Sequence, residues 1–140
     1  MTAENGVETK KAPVKAGEGS AKDAARQFAI DAARLAAATR GHQVVVLDVS
    51  TLSPVTDFYV LVTGTSARQM RTVSDQIEEM GLERNNKALS RSGDAGDAWI
   101  LVDFVDVVVH VFSQEARQYY DLDGLWGDAP RVQWQEQPAS

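Results

Sequence analysis

Apolar residues recur at the three- and four-residue spacing of a helix in two stretches of the chain. The first stretch begins after Ser20, which we interpret as the N-cap, and ends before Gly41. The second begins after Ser66, where Gln69 completes a capping box, and ends at Gly81. The predicted buried stripes are Ala21, Ala24, Ala25, Phe28, Ala32, Leu35 and Ala36 in the first helix, and Met70, Val73, Ile77 and Met80 in the second.

Short runs rich in valine and aromatic residues predict the strands. About seven residues join the first two runs, and a parallel crossover needs roughly a dozen or more, so these strands should pair antiparallel if they are neighbours in the sheet. The last two runs are separated by two residues and predict a hairpin. Ser113 is expected to cap a short last helix that reaches Tyr120. The five predicted strands are 43–49, 57–63, 87–91, 98–103 and 106–112.

The predicted order of elements is helix, strand, strand, helix, strand, strand, strand, helix. This order predicts an α/β fold with a single mixed β-sheet packed by helices. Residues 1–19 lack an apolar period and are rich in Lys, Glu and Gly, so we expect a disordered N-terminal tail. The folded domain should span 20–129, and 130–140 are expected to form a C-terminal tail.

The composition excludes several classes of site. The chain has no cysteine, so it cannot form disulfides, zinc knuckles, iron–sulfur sites or a thiol nucleophile. No apolar run approaches the roughly 18 residues of a membrane span, and the beginning of the sequence lacks the apolar stretch of a secretory signal. We therefore expect a soluble, cytoplasmic protein that does not bind membranes.

The net charge of −6 is concentrated in residues 91–130. This segment contains eight acidic side chains and only two basic ones, Arg91 and Arg117. Nucleic-acid binding depends on Lys and Arg, so we expect no direct sequence-specific nucleic-acid binding. A basic protein partner fits this surface, and a solvated rim that only aids solubility is the alternative. The acidic residues are Asp94, Asp97, Asp103, Asp106, Glu115, Asp121, Asp123 and Asp128.

Three catalytic hypotheses find little support in the spacing of polar residues. Gly64 to Ser66 precede a helix whose N-terminus could hold an anion, but the magnesium-binding carboxylate pair of a nucleotidyltransferase does not follow. A Ser–His–Asp triad would need His110, which lies mid-strand and is more simply a hydrogen-bonded structural histidine. A metal site would need Asp103, Asp106 and His110 to converge across the hairpin, which their spacing does not favour. We expect no cofactor.

Trp99 opens a strand inside the acidic segment. By period two it shares a face with Leu101 and Asp103, while Ile100 lies on the other face. If helices cover the Ile100 face, Trp99 is an aromatic anchor beside Asp97 and Asp103, as at a protein-binding hot spot. The alternative is that Trp99 is simply part of the core.

Three motifs follow one another along the chain: DFYVLVTGTS at 57–66; WILVD at 99–103 with DVVVHVF at 106–112; and RQYYDL at 117–122 with LW at 125–126. In this order they resemble the ribosomal silencing factor family RsfS, also called Iojap-like, over about residues 21–129. Two departures are visible. The family usually has Glu-Gly where this chain has Ser92-Gly93, and a glycine in the hairpin turn where it has Val105, which suggests a slightly wider turn.

The resemblance implies a fold similar to nucleotidyltransferases without their catalytic carboxylates, and a binding function instead of an enzymatic one. Members of the family bind protein number fourteen of the large ribosomal subunit, partly through a tryptophan that matches Trp99, and sterically block subunit joining when nutrients are scarce. A homodimer stays open, as does a nucleotidyltransferase-type enzyme that uses Gly64 to Ser66. The candidate partner-binding residues are Trp99, Asp97, Leu101, Asp103, Asp106, Tyr119 and Tyr120.

Overall fold

The structure is a computed structural model that describes residues 16–93 and 98–135, with side chains from residue 20 onward. In this part of the chain, no helix is both long and apolar enough to cross a lipid bilayer. Along the chain, the elements are α1 (Ala16–Ala38), β1 (His42–Asp48), β2 (Phe58–Thr63), α2 (Ala67–Glu83), β3 (Ser90–Ser92), β4 (Trp99–Asp103), β5 (Val107–Phe112), α3 (Gln114–Tyr120) and α4 (Leu122–Leu125).

The strands form one mixed sheet in the order β1-β2-β5-β4-β3. β1 pairs antiparallel with β2, and β4 pairs antiparallel with β5, which confirms both pairings predicted from the short connections. β2 and β5 are parallel, and α2, β3 and β4 supply the long crossover that a parallel pair needs. The predicted α/β fold with a single mixed sheet is therefore confirmed.

α1 and α2 cover one face of this sheet. The alanines Ala29, Ala32 and Ala36 of α1 are fully buried, and their small side chains let the helix lie close to the strands. At one end of this core, Phe28 packs edge-on against Phe104, with ring centroids 4.8 Å apart. The strand residues buried beneath the helices are Val46, Phe58, Val60, Val62, Ile100, Val102, Val107, Val109 and Val111.

The opposite face of the sheet is covered over only part of its area. α3, α4 and the turn after them bury Leu47, Leu61 and Phe112. Nothing in the described part of the chain covers the rest to the same degree, so the residues of β4 on this face are only half-buried. We call this region the open half of the sheet; its β4 residues are Trp99, Leu101 and Asp103.

Two predicted helix ends were wrong. α1 begins at Ala16, so Ser20 is not its N-cap, and the predicted tail is shorter than residues 1–19. A serine caps a helix only where the preceding chain is non-helical, which the local composition did not reveal. α2 continues through Gly81. A Cβ at Gly81 would lie 2.7 Å from the Phe104 ring and 2.5 Å from the Asn86 carbonyl oxygen, so this glycine permits close packing.

The other two predicted N-caps are confirmed. The hydroxyl of Ser66 accepts a hydrogen bond from the backbone N–H of Gln69 at 3.0 Å, at the start of α2. The hydroxyl of Ser113 accepts one from the backbone N–H of Ala116 at 3.1 Å, at the start of α3. These caps fix where the two helices leave the ends of β2 and β5.

Residues 130–135 are not a free tail, in contrast to the prediction. They lie along β1, where the Pro130 carbonyl accepts a hydrogen bond from Asp48 at 2.9 Å, and Val132 donates one to the carbonyl of Val46 at 2.8 Å. The physical reason is that β1 is an edge strand whose outward backbone groups need partners. The remainder of both predicted tails lies outside the described residues.

The β4–β5 turn is tight and not widened. The N–H of Phe104 donates to the carbonyl of Val107 at 2.8 Å, and the N–H of Asp106 donates to that of Phe104 at 3.0 Å. Val105 has a φ of 79°, a left-handed conformation that a β-branched residue rarely adopts. The Asp103 carboxylate supports the turn, since it accepts a hydrogen bond from the N–H of Val105 at 2.7 Å.

Candidate functional site

The open half of the sheet carries a cluster of rings centred on Trp99. The centroid of its ring lies 4.6 Å from that of Tyr120 and 4.9 Å from that of Phe112. Its Nε1 donates a hydrogen bond to Nδ1 of His110 at 3.2 Å. The helices cover the face of β4 that bears Ile100, which is fully buried, so Trp99 is half-buried on the other face. The helices thus cover the Ile100 face, as the anchor hypothesis requires, but Trp99 also packs against the smaller apolar cluster that contains Phe112, so its role as an anchor stays a prediction.

Two polar rings continue the cluster across β5 and β2. The ring centroids of His110 and Tyr59 lie 4.9 Å apart in a T-shaped arrangement. Burial raises the pKa of Tyr59, and the negative charge of Asp103 raises it further. We call the following residues the aromatic patch: Tyr59, Trp99, Leu101, His110 and Tyr120.

His110 is the most buried of the polar residues in the aromatic patch, with 5% of its surface exposed. Burial lowers its pKa to about 4, so the ring is neutral near pH 7. Because the Trp99 N–H can only donate, Nδ1 of His110 is unprotonated and the ring proton is on Nε2. The predicted hydrogen-bonded histidine is thereby confirmed, and its Nδ1 partner is an indole instead of the carboxylate that a catalytic triad requires.

The structure brings four of the predicted partner-binding residues onto one surface. β4 places Trp99, Leu101 and Asp103 side by side on the open half. Tyr120, at the end of α3, joins them through its ring contact with Trp99. Tyr119 is 81% exposed and packs edge-on against Tyr120, with ring centroids 5.0 Å apart. The result is a partly apolar surface that carries a carboxylate.

The two remaining predicted residues are placed differently. Asp106 lies in the β4–β5 turn at the end of the sheet, where its backbone carbonyl accepts hydrogen bonds from the N–H groups of Asp57 and Phe58, both at 3.1 Å. Its position is thus beside the aromatic patch and not within it. Asp97 lies outside the described residues.

Both basic side chains of the acidic segment are paired within the chain. Arg117 is 6% exposed and donates to the two carboxylate oxygens of Asp123 at 2.8 and 3.0 Å, which lowers the pKa of that carboxyl. Arg91 donates to Asp75 at 2.7 Å and to Glu78 at 2.9 Å. These arginines therefore neutralise carboxylates next to them, and Arg131 also lies close enough to Asp123 for its charge to lower the pKa of that carboxyl.

Gly64 to Ser66 line a separate cavity of about 820 Å³, where β2 and β5 end and α2 and α3 begin. The Ser66 hydroxyl caps α2, and the N–H of Thr65 donates to the side chain of Gln69 at 3.0 Å. Within residues 16–93 and 98–135, His, Asp and Glu side chains form no group of three that could hold a metal ion. The convergence considered for Asp103, Asp106 and His110 therefore does not occur.

Sequence reasoning missed Tyr59 and Trp126 as neighbours of the site. Trp126 packs on Tyr59 with ring centroids 5.2 Å apart and closes one side of the aromatic patch. The available signal was the alternation of β2, since Tyr59 brings a hydroxyl into a strand that is apolar at all other positions from Phe58 to Val62. The pairing of β2 with β5, which brings Tyr59 next to His110, could not be seen from spacing alone.

Comparison with known proteins identifies relatives of this chain among the ribosomal silencing factors and the Iojap proteins. A family model described as "Ribosomal silencing factor during starvation" matches residues 22–140. "Ribosomal silencing factor RsfS" of Halalkalibacterium halodurans is 35% identical over 94 residues, which cover 67% of this chain and 80% of that protein. "Protein Iojap, chloroplastic" of Zea mays is 32% identical over 107 residues, which cover 76% of this chain and 46% of that protein.

Solved structures agree with this relationship. A crystal structure of a protein from Chromobacterium violaceum has a TM-score of 0.67 at 28% identity, covering 84% of this chain and 89% of that one. A crystal structure from Bacillus halodurans has a TM-score of 0.63 at 31% identity, covering 76% of this chain and 94% of that one. The resemblance noted from the three motifs is confirmed, and the chain belongs to the RsfS family of ribosomal silencing factors.

Proposed function

We propose that this chain binds the large ribosomal subunit through its basic protein number fourteen and thereby blocks joining of the small subunit. The observation that carries the proposal is the half-buried Trp99 on the open half of the sheet, packed against Tyr120 and flanked by Leu101. Aromatic anchors of this kind, surrounded by groups that exclude water, dominate the binding energy of protein interfaces.

The shape of the surface supports a protein partner. Trp99 and Leu101 already have part of their area covered, so they are held in place before a partner arrives, which reduces the entropy lost on binding. Tyr119 and Leu125, which are 81% and 73% exposed, extend the apolar area beyond the aromatic patch. An exposed apolar area with this arrangement is typical of an interaction surface.

The charge of the surface supports a basic partner. Glu115, Asp121 and Asp128 are exposed, and Asp103 lies half-buried within the open half. Both arginines of the segment are paired with other carboxylates, and the charge of Asp103 acts on Tyr59 of the aromatic patch, so the field of these carboxylates supports a cationic partner. Ribosomal proteins are basic because they contact RNA, so this field favours approach of such a protein and disfavours approach of naked RNA.

The proposed mechanism is steric exclusion, in which no covalent bond is made or broken. A chain that occupies a face of the large subunit excludes the small subunit from the same face, so translation is repressed in proportion to the occupancy of that face. We therefore infer a non-enzymatic, cytoplasmic regulator that needs no cofactor. Its activity depends only on its affinity and on its concentration relative to that of free large subunits.

The nucleotidyltransferase alternative rests on the cavity beside Gly64 to Ser66. Phosphoryl and nucleotidyl transfer of that class depends on metal ions that neutralise phosphate charge. The only acidic side chain that lines the described part of this cavity is Glu115. A thermal shift of the chain with magnesium and each nucleoside triphosphate tests this alternative, and we expect no change in the melting temperature.

Sedimentation with purified ribosomal subunits tests the proposed function. On a sucrose gradient at modest salt, we expect the chain to travel with large subunits and to reduce the yield of joined ribosomes when it is added first. Trp99→Ala should abolish both effects, whereas the control Trp134→Ala should retain them, because Trp134 packs beside β1 at the opposite edge of the sheet. A wild-type chain that stays at the top of the gradient would refute the proposal.

The salt dependence of association tests the role of charge. The Debye length falls from roughly 10 Å at 0.1 M salt to about 3 Å at 1 M, so the association rate should fall over this range. Asp97→Lys and Asp103→Lys should slow association at low salt. A rate that is indifferent to salt would show that the acidic surface serves only solubility. Sedimentation of the chain alone tests whether it forms a homodimer.

A further inference from the structure

His110 occupies a position where an aliphatic residue would be expected. In the register of the sheet it lies between Leu61 of β2 and Leu101 of β4. Its Nε2 is buried and has no hydrogen-bond partner in the described part of the chain. A buried polar atom without a partner destabilises the fold, so stability alone would favour an apolar side chain at this place.

Among the described residues, the one hydrogen bond of the His110 side chain joins it to Trp99, whose indole N–H donates to Nδ1. The ring contacts of Trp99 with Phe112 and Tyr120, at 4.9 and 4.6 Å, are dispersion contacts, and such contacts tolerate rotation of the indole. The hydrogen bond from Nε1 to Nδ1 of His110 is directional, and it defines which edge of the indole points into the sheet. The opposite edge of the indole is then the edge available to a partner.

We propose that His110 is a positioning residue that holds the indole of Trp99 in its binding orientation before the partner arrives. The inference rests on the proposed function, in which Trp99 is the anchor. With 5% of its surface exposed, His110 acts through Trp99 instead of touching the partner itself. The neutral state of the ring supports this role, because only an unprotonated Nδ1 can accept the indole N–H.

Two variants of His110 separate positioning from stability. His110→Leu removes the acceptor but restores an aliphatic row between Leu61 and Leu101. His110→Asn shortens the side chain but keeps an oxygen near the place of Nδ1, so it can still accept the indole N–H. We expect His110→Leu to unfold at the same or higher urea concentration than wild type, and His110→Asn to unfold at a lower one.

Binding of the full-length variants to purified large subunits should follow the opposite order. Losing a pre-oriented side chain weakens binding by about three- to tenfold, so His110→Leu should bind that much more weakly than wild type. His110→Asn should bind within about twofold of wild type. If binding follows stability instead, with Asn weaker than Leu, the proposal is wrong.

Trp99→Phe provides the second arm of the test, since phenylalanine has no N–H to donate. In that background, His110→Leu should have no further effect on binding, because the hydrogen bond is already absent. A full additional loss of binding would overturn the positioning role.

If Trp99→Ala weakens binding but His110→Leu does not, only the positioning role fails. If Trp99→Ala binds normally, the proposed site itself fails.

Discussion

The two faces of the sheet are built from adjacent residues of the same strands, yet they differ in chemistry. On the face under α1 and α2, Ile100 and Val109 are fully buried in an aliphatic core. On the open half, Trp99 is half-buried, and His110 has a ring nitrogen with no hydrogen-bond partner among residues 16–93 and 98–135. The first face is optimised for packing, whereas the second retains groups that lower stability. Such departures from optimal packing are expected where a surface serves binding.

The largest expected effect is on folding stability, and it distinguishes the two faces of β4. Ile100→Ala should lower the free energy of unfolding by about 2 to 5 kcal/mol, because it leaves a cavity in the helix-covered core. Leu101→Ala, the matched change on the open half, should lower it by about 1 kcal/mol, because its side chain is already partly in water. Urea unfolding measures both. Equal losses would show that the open half is as much a core as the other face.

Trp99→Ala sharpens the comparison by separating binding from folding. Loss of the anchor should weaken binding to large subunits by about 2 to 4 kcal/mol. The loss of folding stability should be smaller than that of Ile100→Ala, since part of the Trp99 ring is solvent-exposed. Titration against large subunits and urea unfolding give the two numbers separately. A variant that binds normally while folded would contradict the anchor role.

The stability of the open half should depend on pH through His110. Its pKa is about 4 in the folded state and about 6.5 in the unfolded chain, so the unfolded state takes up the proton first as the pH falls. The contribution is complete above pH 6.5, is lost progressively toward pH 4, and amounts to about 3 kcal/mol. Urea unfolding between pH 7 and 4 measures it.

His110→Leu is the control for this pH dependence. It keeps the other titrating groups, such as Asp48 and Asp123, whose pKa values are also lowered. The difference between the two pH curves therefore isolates His110. Parallel curves for wild type and variant would show that the histidine titrates normally in the folded chain.

The smallest expected effect is on folding stability, and it comes from Val105 in the β4–β5 turn. Val105→Gly should raise the free energy of unfolding by about 1 kcal/mol, because a glycine relieves the strain of a φ of 79°. Val105→Ala is the control, since alanine keeps a Cβ and most of that strain. Thermal and urea unfolding both report the change. A destabilised glycine variant would indicate that the Val105 side chain contributes contacts that outweigh the strain.

Much of the fold could be predicted from local patterns. The alternation of Trp99, Ile100 and Leu101 separated the two faces of β4 correctly, and the caps at Ser66 and Ser113 were placed at the right residues. The predictions were wrong where a distant contact decided the outcome. Gly81 lies inside α2, where the absence of a Cβ leaves room for Phe104, and that contact is not visible in the sequence around the glycine.

By itself, the sequence determined the order of elements from α1 to α3 but not the short α4, and it also determined the acidic character of residues 91–130 and the motifs of the RsfS family. These properties depend on spacing, charge and residue order, all of which can be read along the chain without knowing which elements pack together. Only the tertiary structure decided that Trp99 faces away from the helices and that its indole is held by His110. The reason is that the parallel pairing of β2 with β5, and the area that α3 and α4 leave open, depend on which elements pack together across the whole chain.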